Sequence, residues 1–223
     1  MHLRGVIFLC LLGCALGDRL TCKQVREIVD GHNERRLRLA KGNVSGQPPA
    51  SEMKYMIWDD ELAAKATKWA SRNSFQHNPD NTIGSGRFRT GENLYVFSTT
   101  NRNQKINLQA TLDSWFNENK DFTYGPIWID HFNREDGVQI GHYTQMVWSD
   151  SVYVGCGISQ FSRNPGWTSY MVVCNYGPAG NIIGSVPYPT GNPSNQLTCS
   201  FEGCSGKSHY DEFILYGQYG DKC

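Results

Sequence analysis

Along the first half of the chain the apolar positions recur with helical spacing. Val25, Ile28, Val29 and Leu37 share one pattern with His32 and Arg36, and Lys41-Gly42 supplies a stop, which predicts a first helix. After the loop GNVSGQPPASE, the segment from Trp58 to Phe75 offers Asp59 or Asp60 as an N-cap. It gathers Leu62, Ala66, Trp69 and Ala70 into one stripe, a second helix. A third amphipathic stretch, Gln104 to Asn119, sets Leu108, Thr111, Leu112 and Trp115 on one face, with Glu118 at its edge. From Tyr143 onward the period shortens toward two. HYTQMVW, VYVGCGISQF and TSYMVVCNY read as three antiparallel strands separated by turn residues. Helices followed by strands predict an α+β fold. Beyond Asn175 the composition changes to YGPAGNIIGSVPYPTGNPSN, a Gly/Pro-rich connection leading to a small cysteine-containing C-terminal extension.

Composition adds compartment and size. With 223 residues, 39% of them hydrophobic, the chain can bury one sizeable core. Met1 to Gly17 carries His2 and Arg4, then VIFLCLLGCAL, then Ala15-Leu16-Gly17, the pattern of a secretory signal. The expected organisation is a signal over 1–17, a main domain over 18–185, and a linker with tail over 186–223. No later stretch reaches the ~18 apolar residues that span a bilayer. The expected mature protein is therefore secreted and extracellular, without a transmembrane segment. Lys and Arg total 21 against 21 Asp and Glu, so net charge does not point to nucleic acid as a partner. Of eight cysteines, Cys10 and Cys14 leave with the signal. The remaining six predict three disulfides in an oxidising compartment, and none are spaced as CxxC for a zinc ribbon. Asn43-Val44-Ser45 is a glycosylation sequon in a loop.

The common catalytic signatures are missing: there is no HExxH, GxSxG, P-loop or GxGxxG. What remains is a dispersed set, His77, Glu92 in GENL, Glu118 and His142 in GHYTQMVW. Spacing alone does not bring these four together. Taken singly they read as a helix-end histidine, a loop glutamate, a helix-surface glutamate and a strand-edge histidine.

GHYTQMVW, followed by VGCGI and MVVCNYGPAGN, resembles the two signature stretches of the CAP superfamily, the cysteine-rich secretory, antigen-five and pathogenesis-related proteins, in its venom-allergen-like branch. KWASRNSFQHN and GENLY match the same family upstream, so the resemblance runs from about Thr21 to Asn181 in family order. It implies a three-layer α-β-α sandwich with a short antiparallel sheet. It also implies that His77, Glu92, Glu118 and His142 form the family's cleft tetrad, in which His77 and His142 can hold zinc or another divalent cation while the carboxylates orient them. Cysteines that many members carry are replaced here by Ser74 and Ile140, as if one bridge were lost as a unit. The surviving core bridge of the family falls on Cys156 and Cys174. The pairing of Cys22, Cys199, Cys204 and Cys223 stays open.

Between the third helix and His142 lies DFTYGPIWIDHFNREDGVQI, with Phe122, Tyr124, Trp128 and Phe132. It resembles the sterol-contacting loop of lipid-exporting members, which implies a hydrophobic ligand site. Three functions then compete. The first is a secreted carrier of a small lipid or sterol with a cation in its cleft. The second is a venom, salivary or parasite-type effector that binds a host or extracellular protein or an ion channel. The third is a hydrolase using the tetrad, which ranks last because no residue is marked as a nucleophile.

Overall fold

A computed structural model describes residues 19–200, 204–205, 209–210 and 212–222. The expected signal over 1–17 and the start of the mature chain at Asp18 lie outside the described residues.

Helix α1 covers Cys22–Ala40. Thr21 caps it, accepting from Gln24 N, while Gln24 Oε1 accepts in return from Thr21 N. The helix stops at Lys41, and Gly42 takes the positive φ of 75° that only glycine adopts freely. Strand β1 is Ile57–Trp58, and α2 follows over Asp60–Ala70, with Asp59 accepting from Leu62 N at 2.8 Å. The second helix ends before the predicted Phe75 because Ser71, Arg72 and Asn73 form a turn in which Asn73 has φ 54°. Strand β2, Gly91–Thr99, includes the segment expected to be a loop around Glu92. Helix α3 covers Leu108–Phe116, capped by Asn107, and continues as a 3-10 turn over Asn117–Lys120.

GHYTQMVW corrects the sequence reading. Its first six residues form a short helix, α4, Gly141–Met146, rather than a strand. Tyr143, Thr144, Gln145 and Met146 are all buried, so the run has no polar face to betray a helical period. Two strands complete the main sheet, β3 (Tyr153–Phe161) and β4 (Thr168–Gly177). The sheet order is β1-β3-β4-β2. The three antiparallel strands are therefore β3, β4 and the unexpected β2, and the short β1 adds a parallel edge against β3.

Strand β4 is central and buried on both faces, which fits the apolar run YMVVC at its centre. Val172, Cys174 and Tyr176 face the larger core with α1, α3 and α4, whereas Met171 and Val173 face Ala66, Trp69 and Ala70 of α2. This alternation produces the three layers, an α-β-α sandwich. Helix α2 lies directly on the backbone of β3. A Cβ at Gly155 would fall 2.2 Å from Ala63 N, and one at Gly157 would fall 2.4 Å from Thr67 Cα. Cys156 and Cys174 are register partners and are bonded, with Cα atoms 4.1 Å apart.

Cys22 and Cys199 each take part in a further disulfide. The expected linker and tail do not stand apart from the body. Tyr188, Leu197 and Tyr216 are buried in the larger core, and Tyr216 Oη donates to Asp30 Oδ1 at 2.6 Å. Strands β5 (Cys204–Ser205) and β6 (His209–Tyr210) form a separate two-stranded ribbon, followed by α5, Glu212–Tyr216. Among the described residues no helix is long and apolar enough to cross a membrane.

Candidate functional site

Four separate elements meet at one cleft of about 470 Å³, lined among others by His77, Glu92, Asn93, His131, Phe132 and His142. His77 lies in the loop after α2, and its Nδ1 donates to Glu92 Oε1 at 2.9 Å. The same oxygen accepts from Asn78 N at 2.9 Å, and Glu92 Oε2 accepts from Asn175 Nδ2 at 3.2 Å. The carboxylate on β2 is thus held on both oxygens, while the imidazole it orients is 66% exposed.

His142 is held more tightly. Its Nδ1 donates to Glu118 Oε1 at 2.6 Å, and its side chain is only 16% exposed. Glu118 Oε2 accepts from the backbone N–H groups of His142 and Tyr143, at 2.9 and 3.1 Å. A single carboxylate at the end of α3 therefore both orients the imidazole and satisfies two free donors in the first turn of α4. Trp115, one turn before Glu118, stacks on the His142 ring with centroids 6.0 Å apart and 15° between planes. Glu118 stands behind His142 and does not line the cleft. In both pairs Nδ1 is engaged, which leaves each Nε2 as the free ring nitrogen.

The sequence reading missed the residues that hold this arrangement in place. Asn93 Nδ2 donates to His142 O and to Tyr176 Oη, each at 3.1 Å, tying β2 to α4. His32, buried on α1, lies with Nδ1 2.7 Å from Ile28 O and Nε2 3.0 Å from Tyr176 Oη. Burial lowers the His32 pKa to about 3, so the ring is neutral. Nδ1 must carry the proton toward the carbonyl, and Nε2 accepts from the Tyr176 hydroxyl. Burial also pushes the Tyr176 phenol upward, keeping that hydrogen in place. A polar chain thus runs from α1 through Tyr176 and Asn93 to the His142 backbone.

Buried Arg36 fixes the segment after α4. It donates to the carbonyls of Lys54, Met146, Trp148 and Ser149 at 2.8–3.1 Å, and burial lowers its pKa to about 9. Four carbonyls thus serve a guanidinium that remains charged at neutral pH. The two signature stretches also interlock: Gln145 Oε1 accepts from Gly180 N at 2.9 Å, and Asn181 Nδ2 donates to Gly141 O at 2.9 Å. The only hint of these roles in the sequence was a set of polar residues inside otherwise apolar runs.

The aromatic loop divides into two parts. Phe122 is 5% exposed and packs on Tyr143, and Tyr124 is half-buried with its hydroxyl donating to Tyr188 O at 2.6 Å. Trp128 and Phe132 are 51% and 41% exposed. Backbone hydrogen bonds from Ile127 N to Ser185 O, and from Gly184 N to Ile127 O, clip this loop to a second one. The second loop exposes Ile182, Ile183 and Val186. Asn43 is exposed and follows directly on the turn at Lys41 and Gly42.

Among the described residues, no three His, Cys, Asp or Glu side chains come together as a metal-binding group. A closed four-ligand site is therefore not built here. Each imidazole is oriented through Nδ1 by a carboxylate, the outer-shell arrangement common to metal-ligating histidines.

This combination of sandwich, interlocked signature stretches and paired His-Glu cleft defines a class, and the comparisons agree. The family model for CAP, the cysteine-rich secretory protein family, matches residues 29–176, and the chain belongs to that family. Venom allergen 3 of Solenopsis invicta is 39% identical over 168 residues, 72% of this chain and 70% of that protein. Venom allergen 5.02 of Dolichovespula maculata is 36% identical over 197 residues, 81% of this chain and 87% of its own length. Among solved structures, the crystal structure of NaASP2 with Zn2+ superposes with TM-score 0.66 at 28% identity, covering 86% of this chain and 97% of the other.

Proposed function

We propose that this chain is an extracellular carrier of a small lipid or sterol that also binds a divalent cation in its histidine cleft. The observation that carries the lipid reading is the apolar surface of the two clipped loops. Trp128, Ile129 and Phe132 on one, and Ile182, Ile183 and Val186 on the other, are large hydrophobic side chains left open to solvent. Exposed apolar clusters of this kind mark binding surfaces more often than they mark structure. Similarity to venom allergens supports the extracellular setting.

Burying Trp128 or Phe132 against a sterol would contribute ~1.5–3 kcal/mol each. Trp128→Ala should therefore weaken cholesterol binding about tenfold or more at an unchanged melting temperature, while His142→Ala still binds. If wild type binds neither sterol nor fatty acid, the carrier reading fails and the effector reading takes its place.

For the cation, His77 and His142 would supply the two nitrogens, with Glu92 and Glu118 keeping both Nε2 atoms turned to the cleft. A bound ion would supply positive charge and an acidified water there. The similar structure of NaASP2 with Zn2+ supports this choice. Zinc titration by calorimetry should show uptake by wild type, weaker as pH falls into the range where imidazoles protonate. Equal uptake by the His77→Ala/His142→Ala double variant would rule the site out.

A further inference from the structure

A second concavity, of about 590 Å³, lies between the start of α1, the end of α2 and the end of β3, and shares no residue with the histidine cleft. Among the described residues its lining contains no carboxylate. Two cations, Arg19 and Lys105, stand there with neutral hydrogen-bonding side chains that include Gln24, Ser71 and Gln160. Leu20, Ile106 and Ile158 add an apolar lining on which a sugar ring face can pack. Beyond its rim the positive charge continues: the Arg163 guanidinium donates to the carbonyl of Asn73, a lining residue, and Arg72 is its chain neighbour. None of Arg19, Arg72, Lys105 and Arg163 forms an ion pair with a carboxylate among the described residues. In a chain whose charges balance overall, unpaired cations gathered around one groove make a local positive field that attracts and orients anions.

From this chemistry we infer that the groove binds a sulfated oligosaccharide segment of an extracellular polysaccharide. Sulfate groups meet the cations, and amide and hydroxyl side chains meet sugar hydroxyls. The volume falls within the range of small-ligand sites. Two other polyanions fit less well. Single-stranded nucleic acid stacks its bases on free aromatic faces, but Arg72 lies over Trp69 and Arg163 over Phe161, with guanidinium carbons 4.5 and 5.2 Å from the ring centroids. A duplex is too wide for a concavity of this size. An anionic bilayer is a broad plane, whereas these cations border a concavity that a plane cannot enter.

The test is calorimetric titration of the full secreted protein with a heparin tetrasaccharide, repeated at two salt concentrations and with the desulfated sugar. Wild type should bind the sulfated form, more weakly at higher salt, and should not bind the desulfated one. The double variant Arg19→Gln/Lys105→Gln should bind about tenfold more weakly or worse, since it loses two charge-assisted contacts. Lys41→Gln/Lys120→Gln removes the same charge outside the groove and should stay within about twofold of wild type. Absence of binding by wild type, equal binding of the desulfated sugar, or equal loss in both double variants overturns the inference. So does binding to phosphatidylserine vesicles without binding to the tetrasaccharide.

Discussion

Acidification should weaken this protein through a histidine that never meets solvent. His32 is fully buried on α1, and burial, reinforced by Arg35 and Arg36, lowers its pKa to about 3. In the unfolded chain the same side chain titrates at its ordinary 6.5. Below that value the unfolded state takes up a proton that the folded state refuses. The stabilisation is therefore complete above pH 6.5 and drains away as pH falls toward 3. At 1.36 kcal/mol per unit, lowering the pH from 7 to 5 should cost about 2 kcal/mol through this group alone. Ordinary carboxylates, titrating near 4, are still mostly ionised at pH 5 and add little in that window. The measurement is urea unfolding at pH 7 and pH 5 for wild type and His32→Gln. The variant has no titrating group at this position, so wild type should lose about 2 kcal/mol more than the variant does. Taking the difference removes every other titration. If both proteins lose the same amount, His32 is not held neutral by burial, and the directed chain from Ile28 O to Tyr176 Oη and Asn93 is wrongly assigned.

Gly157→Ala should destabilise by ~1–3 kcal/mol or more in urea unfolding, because the added methyl meets the α2 backbone and not a side chain that can swing away. Phe122→Ala should cost ~3–5 kcal/mol of stability while leaving cholesterol affinity unchanged, the reverse of Trp128→Ala; loss of affinity without loss of stability would mean that its burial against Tyr143 is misread. Glu118→Gln can keep both backbone N–H groups on its amide oxygen only by turning its N–H2 toward His142 Nδ1, so the imidazole must move its proton to Nε2. Loss of the charge-assisted bond should cost ~0.5–1.5 kcal/mol, and the tautomer change should be visible in the NMR shifts of the ring nitrogens.

Much of the layer arrangement was legible in the chain because it rests on periodicity. The faces of α1, α2 and α3, and the strands β3 and β4, all follow from spacing, and Asp59 announced itself as a cap. A local pattern reports on burial only where one side of an element stays polar. Where both sides are buried the signal disappears, and there the reading failed. GHYTQM is a helix whose last four residues are all buried, capped by a carboxylate 24 residues upstream, so neither its period nor its cap was local. Strand β2 was missed for a related reason: GENLYVFST carries a glutamate, an asparagine and a serine, and only its pairing along all nine residues with β4 gives it strand form. The candidate site shows the same division. Motif resemblance could name His77, Glu92, Glu118 and His142, but each sits on a different element. What joins them into two oriented pairs is the closing of β2 and α4 over α3, with Asn93, Trp115 and Tyr176 holding the seam. Those are long-range contacts, and a sequence specifies them only through the whole fold.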